Sequence, residues 1–258
     1  MPADVAGPAV GLPVLAVDLG PGVRAAFTTR AGGVSAPPWD TLNLGLGVDD
    51  ATACVLVNRD LVERWAGAPV GYATQVHGVD VRVLSGPPGR DATSVGRYDA
   101  LVATSPSVAV AVLVADCVPV LLADADARVV GVIHAGRRGL VAGVVQAAVE
   151  MLERCGAQPA RLRAVVGPAV GAAAYEVPAA MRDEVAAVIP ETWSTTAWGT
   201  PALDLAAGVV AVLARAGVYR VECLDIGTST DRRFYSHRRA QRQGSTTGRF
   251  AGVVRLTG

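Results

Sequence analysis

Residues 108–140 read VAVAVLVADCVPVLLADADARVVGVIHAGRRGL, and their pattern decides the fold. Three apolar runs, 108–115, 118–123 and 129–134, are separated by Asp116-Cys117 and by a short charged stretch. Each run is too short and too rich in β-branched residues for a helix of ordinary length. The pattern therefore predicts three strands, and their near-continuous apolarity predicts cover on both faces. Cys117 and His134 thus sit where buried strands end, at the places where side chains emerge into a cleft.

Working outward, Leu140, Val144, Ala148, Met151 and Cys155 recur on one face, which predicts a helix over 139–155 stopped by Gly156. Asp50 is expected to N-cap a helix reaching about Trp65, with Cys54, Val57, Leu61 and Trp65 on its buried side. Further strands are expected at 23–29, 72–76, 79–84, 162–166 and 219–224. Helices are expected at 178–190, with Pro178 in the first turn, and after Asp204, with Leu205, Val209, Val212 and Leu213 buried. Residues 85–97 and 192–201 read as loops, and the tail from Phe234 as a basic loop before a last strand. Residues 1–14 read as a loose arm. No Pro/Gly-rich linker divides the remainder, so 15–258 is expected to form one domain of mixed α and β.

At 258 residues, 51% of them hydrophobic, the chain can bury a sizeable core without staples. Aromatics are only 5%, so small branched residues must fill it. With 23 basic and 23 acidic residues, the total field favours neither nucleic acid nor an acidic membrane surface. Cys54, Cys117, Cys155 and Cys223 are widely spaced and read as reduced thiols. The first residues show neither a basic signal-peptide start nor an apolar span of about 20 residues, so a cytoplasmic location is expected.

The chain has three histidines. His77 and His134 each end an apolar run and precede a glycine or Ala-Gly. With Cys117 they match the donor count of a catalytic zinc that keeps a fourth position open. Copper accepts the same atoms, and a Cys/His nucleophilic pair or buried structural residues remain alternatives. Asp116 is expensive to bury alone, which argues for a polar site beside Cys117. Arg137 and Arg138, at a predicted helix entrance, could hold phosphate or carboxylate. His237, among exposed basic residues, suits a structural or substrate-contact role. No Walker loop or dinucleotide fingerprint is present.

Taken together, Thr28-Thr-Arg-Ala-Gly-Gly-Val-Ser, Asn43-Leu-Gly, Asn58-Arg59, Gln75-Val-His-Gly, Ala115-Asp-Cys-Val-Pro-Val, His134-Ala-Gly-x-x-Gly, Gly167-Pro-x-x-Gly with Tyr175-Glu-Val, and Phe234-x-Ser-His-Arg-Arg with Thr247-Gly-Arg resemble the YfiH-type laccase-domain family. The resemblance covers roughly residues 22–256. It implies a single α+β domain of mixed sheets flanked by helices, related to cysteine hydrolase-like toxins. It also implies that His77, Cys117 and His134 are the zinc ligands, and that Arg30, Asn43, Arg138 and Tyr175 line the substrate pocket. Two positions depart from the family pattern: Arg137 stands where Trp is usual, and Gly227-Thr228 replaces Cys-Thr.

The family activities so implied are phosphate-dependent cleavage of adenosine, inosine and methylthioadenosine, and deamination of adenosine. Phosphate held by Arg138 and the helix entrance would attack the ribose. Alternatives from other classes are a peptidoglycan-precursor amidase acting on muramoyl peptides, a copper-dependent polyphenol oxidase and a non-catalytic binding module. One trio of ligands is too few for the multi-copper cluster that reducing O₂ to water needs. The expected partners are small molecules, a purine nucleoside and phosphate, with no nucleic acid and no membrane. The expected assembly is a monomer or weak homodimer.

Overall fold

The computed structural model describes residues 11–89 and 92–258; most of the expected N-terminal arm lies outside them. A hairpin of β1 (Val14–Val17) and β2 (Val23–Thr28) opens the fold, so the strand begins inside the stretch read as an arm. A long loop leads to α1 (Thr52–Ala66). Next come β3 (Val70–Tyr72), β4 (Val81–Leu84), β5 (Ala100–Ala103) and the central strands β6 (Ala109–Val114), β7 (Val118–Asp124) and β8 (Val129–Ala135). Two helices, α2 (Arg137–Ala142) and α3 (Val144–Arg154), precede β9 (Arg163–Val166) and α4 (Ala179–Val188). The hairpin β10 (Trp193–Thr195) and β11 (Pro201–Leu203), α5 (Leu205–Arg215), β12 (Arg220–Cys223), α6 (His237–Arg242) and β13 (Phe250–Leu256) complete the chain.

Two mixed sheets result, in strand orders β1-β2-β13-β6-β3 and β12-β9-β7-β8-β5-β4. The sheets face each other across Phe27, Val110, Val112, Leu121, Val132 and Val254. Behind the six-stranded sheet, Val120, Leu122 and Ile133 pack on Leu140, Val144, Leu152, Val209 and Leu213 of the helices. Behind the five-stranded sheet, Ala111 and Val253 pack near Val62 and Ala66 of α1. Alternate residues of each central strand therefore enter different apolar layers. That double burial is why the runs lack polar positions, although β7 and β8 pair antiparallel.

Consecutive strands β6 and β7 belong to different sheets, and the chain crosses between them in Ala115, Asp116 and Cys117. This crossing puts the thiol at the open end of the sandwich.

Several expectations need correction. The helix over 139–155 starts at Arg137 and breaks at Gly143, whose φ of 101° is a left-handed conformation that glycine adopts without strain. Asp50 does not cap α1; its carboxylate accepts from Ser35 Oγ and Asn43 Nδ2 at 2.7 and 2.8 Å. The buried side of α1 is Val55, Asn58, Arg59, Val62 and Ala66, while Val57 is exposed. Polar residues take that face because loop carbonyls beneath it need donors: Asn58 Nδ2 donates to the carbonyls of Thr41 and Asn43. The tail holds α6, capped by Ser236 Oγ accepting from the Arg239 N–H, and residues 192–201 contain a hairpin. The strand β5 was not anticipated. Among the described residues no helix is long and apolar enough to cross a membrane.

Asp124 ends β7 and is 1% exposed. It accepts from Arg161 Nη2 at 2.9 Å and from the N–H groups of Ala127 and Gln158. Burial alone would raise its pKa, but these donors, Arg161 foremost, hold it below the usual carboxylate range. Asp124→Asn is expected to lower unfolding free energy by about 2 kcal/mol at pH 7, on the scale of hydrogen bonds to charged groups. Because the folded-state pKa is depressed, the difference between wild type and variant is full above about pH 4 and shrinks as pH falls through the folded value. Urea unfolding across that range measures it.

Candidate metal centre and cavities

Asp99 organises the centre. It directly precedes β5 and is fully buried. Its carboxylate accepts from the N–H groups of Val76, His77 and Gly78 at 3.1, 2.9 and 2.7 Å, and its Oδ1 lies 2.7 Å from His134 Nδ1. The three N–H groups shape the loop after β3, where His77 takes a left-handed φ of 59°. The bond at Nδ1 leaves His134 Nε2 facing the cleft. The sequence reading missed Asp99; an acid opening a buried strand was the available signal, since such a group must be paired.

The structure brings the three predicted donors together. The Cys117 Sγ and one ring nitrogen each of His77 and His134 lie within 4.8 Å of one another, and His77 Nε2 is 3.6 Å from Cys117 Sγ. The two imidazoles meet edge to face at 4.7 Å between centroids. A soft sulfur, two imidazoles and a carboxylate behind one of them form a donor set that fits a metal ion such as zinc. Copper accepts the same atoms.

Glycine at 136 makes the approach possible. A Cβ there would lie 2.4 Å from His77 Cδ2 and 3.1 Å from Cys117 Sγ. Asp116, at φ 90°, aims its carboxylate away from the metal donors: it accepts from Thr228 Oγ1 at 2.6 Å and from the Arg238 N–H. The polar surroundings expected for Asp116 are thus Thr228 and the start of α6, and the Thr of the altered Gly227-Thr228 pair keeps a task.

Burial alone would push the Cys117 thiol up, but the charge of His134, and then of His77, pulls it down to about 6. Burial alone would lower the His134 pKa; the charge of Cys117 and the bond to Asp99 outweigh it and raise the imidazole to about 9. In the metal-free protein the pair is therefore a thiolate beside an imidazolium, a nucleophile by the usual criteria.

Two cavities of about 350 and 500 Å³ meet at His77, Ala115, Cys117 and His237. The first is walled by Arg137, Arg138, Tyr175, Arg238 and Gln241. The Arg238 guanidinium lies 5.2 Å over the Tyr175 ring. Arg138, Tyr175 and Arg137 thus line one cavity beside the donor trio. Arg30 and Asn43 line neither cavity. Arg30 is tied to Asp40 at 2.8 Å. Asn43 is fully buried behind the second cavity, where its Oδ1 accepts from the N–H groups of Gly45 and Arg249. Their loops demanded these bonds, which spacing in sequence does not reveal. His237 faces both cavities as the first residue of α6 and stands outside the donor trio.

Two outcomes follow from this geometry. In metal-stripped protein, alkylation of Cys117 by iodoacetamide is expected to rise with a midpoint near pH 6, and His134→Asn to move the midpoint upward, both read by mass spectrometry. Gly136→Ala is expected to weaken zinc binding by about tenfold or more, the scale of disturbed outer-shell partners, as measured by chelator competition.

A family model described as "Multi-copper polyphenol oxidoreductase laccase" matches residues 24–257. The chain is 51% identical over 234 residues to a protein of Streptomyces griseus named purine nucleoside phosphorylase ORF3, covering 90% of this chain and 93% of the relative. It is 39% identical over 256 residues to the purine nucleoside phosphorylase of Deinococcus radiodurans, covering 96% and 94%. Among solved structures, YlmD from Geobacillus stearothermophilus matches with a TM-score of 0.83 at 31% identity, covering 92% of this chain and 93% of that one. The Neisseria meningitidis protein NMB0706, of family DUF152, matches with a TM-score of 0.82 at 34% identity, covering 95% and 99%. Sequence motifs, donor geometry and fold agree, and the chain belongs to the YfiH-type laccase-domain family.

Proposed function

We propose that this protein is a zinc-dependent purine nucleoside phosphorylase that converts adenosine, inosine and methylthioadenosine to the free base and the (methylthio)ribose 1-phosphate, and that also deaminates adenosine. The observation that carries the reading is the junction of two cavities at the Cys117, His77 and His134 donors, in a chain 51% identical to a protein named for this activity. Such a junction suits a reaction in which one substrate is split by another.

When bound by His77, Cys117 and His134, zinc supplies Lewis acidity at that junction. The remaining work falls to the chain. Tyr175 offers an aromatic face to the base, and Arg138 and Arg137 bring positive charge to the rim of the same cavity. Asp99 holds His134 in one orientation through Nδ1. His237 lines both cavities and is placed to hand a proton to the departing purine. Burial raises the Tyr175 phenol above its ordinary range, so it stays a neutral donor at pH 7. Activity is expected to reside in the cytoplasm, with no nucleic-acid or membrane partner.

Purified, metal-analysed protein incubated with inosine or adenosine is expected to release free base and ribose 1-phosphate only when phosphate is added. Adenosine is expected to yield inosine without it. Cys117→Ala is expected to lose about a hundredfold or more of the rate, several kcal/mol of Lewis-acid stabilisation expressed as turnover. Zinc-loaded wild type that leaves every nucleoside intact would overturn the reading, and muramoyl-peptide precursors become the next substrates to test.

A further inference from the structure

We propose that the second cavity is an orthophosphate subsite built on Arg249 and Arg59, and that phosphate reacts from this side of Cys117 while the nucleoside occupies the first cavity. The inference rests on the phosphorolytic reading and places the second reactant within it.

Both arginines line the second cavity. Arg59 is buried and Arg249 half-buried. Neither forms an ion pair among the described residues; their side-chain hydrogen bonds go to neutral carbonyls, and the Arg59 guanidinium also lies 4.1 Å over the Tyr72 ring. Arg59 Nε donates to Leu44 O at 3.0 Å and its Nη1 to Thr93 O at 2.7 Å. Arg249 Nη1 donates to the carbonyls of Thr247 and Gly248 at 3.2 and 3.0 Å. Arg249 Nε and Nη2, and Arg59 Nη2, have no acceptor among the described residues. These unpaired N–H groups belong to two arginines that line the second cavity, and a fork of N–H donors suits the oxygens of phosphate.

The two cations are mounted as a unit. Leu44 donates its N–H to Arg249 O at 3.0 Å, while its own carbonyl accepts from Arg59 Nε. Asn43 Oδ1 accepts from the Arg249 N–H at 2.8 Å. Gly45 leaves room for the Arg249 stem, since a Cβ there would lie 2.7 Å from Arg249 Cγ. This gives the Asn43-Leu-Gly, Asn58-Arg59 and Thr247-Gly-Arg motifs a shared task. Arg138, by contrast, is exposed at the rim of the first cavity, beside Tyr175, where a base can stack.

The chemistry requires two sides. An oxygen of hydrogenphosphate forms a bond to C1′ as the C1′–N9 bond breaks; that bond's electron pair leaves with the purine, which takes a proton from His237, and the proton of hydrogenphosphate then replaces the one His237 gave. Attack on the face opposite the leaving group separates the reactants in space. The cavities meeting at Cys117 and His237 supply that separation.

The test is calorimetric titration of orthophosphate, and separately of adenosine 5′-monophosphate, into zinc-loaded wild type, Arg249→Gln, Arg249→Lys and Arg138→Gln, with thermal melts to confirm folding. Wild type is expected to bind orthophosphate. Arg249→Gln is expected to weaken it about tenfold or more, and Arg138→Gln less than about threefold, because charge-assisted bonds are lost only in the former. If Arg249→Gln does not fold, Arg249→Lys keeps the charge without the fork and is expected to weaken binding about threefold or more. Wild type that binds no orthophosphate, a loss carried by Arg138→Gln instead, or an Arg249 effect confined to the monophosphate would each overturn the proposal. The titration needs no turnover. Weakened phosphate binding in Arg249→Gln of a protein that leaves inosine intact would uphold the subsite while the phosphorolytic reading falls. Phosphorolysis with an unchanged phosphate KM in that variant would overturn the subsite alone.

Discussion

The carboxylate of Asp99 is the interaction on which the rest of the centre depends. It is fully buried, and an isolated buried carboxylate carries a desolvation penalty of several kcal/mol. Three backbone N–H groups and one imidazole offset that penalty together. Their effect on the carboxyl outweighs burial, and its pKa lies below the ordinary value. The same four bonds fix the two histidine donors in different ways. His77 is placed through its backbone, held in a left-handed turn, whereas His134 is placed through its ring. One acid thus sets the distance between two elements far apart in sequence. Loss of any one donor would leave the charge short of partners, so the loop after β3 and the end of β8 are coupled.

Cys117 is positioned by topology instead. The passage from one sheet to the other takes three residues, and Asp116 in its middle adopts a φ that non-glycine residues rarely hold. Three attachments keep it there: its carbonyl accepts from the Val170 N–H at 2.9 Å, and its carboxylate accepts from Thr228 and Arg238. Strain of this kind persists where the surroundings over-determine the conformation. Here it turns the next side chain toward the imidazoles. Without Gly136 the sulfur and His77 could not approach as closely, because α2 begins against both of them.

What the sequence disclosed divides along the same line. The central strands were legible because double burial removes polar positions, and Asp204 was legible as a cap because its bond to the Ala207 N–H is local. His77, Cys117 and His134, which the structure brings together, were legible as candidates from residue types at strand ends. Asp99 was not, since its four partners lie 21 to 35 residues away. The buried face of α1 differs in part for a related reason: Leu61 and Trp65 pack on the core as their spacing predicts, but loop carbonyls from residues 41–43 draw Asn58 inward and leave Val57 exposed. Arg30 and Asn43 carry recognisable motifs, yet their bonds go to loops, and only the fold reveals that Asn43 supports a cavity wall from behind.

Balanced total charge coexists with a strongly positive interior at this centre. Arg137, Arg138 and Arg238 face one cavity, and Arg59 and Arg249 the other. Asp116, the acidic residue nearest the sulfur in sequence, is spent on Thr228 and the start of α6. Low-dielectric walls focus such a field inside a concavity. A small anion is therefore drawn inward. Positive charge on both sides of the donor trio favours an anionic reactant. An anionic reactant, phosphate or carboxylate, needs compensation before it can approach a thiolate that is itself negative. The five arginines that line the two cavities meeting at Cys117 satisfy that requirement, within a chain whose total charge is balanced.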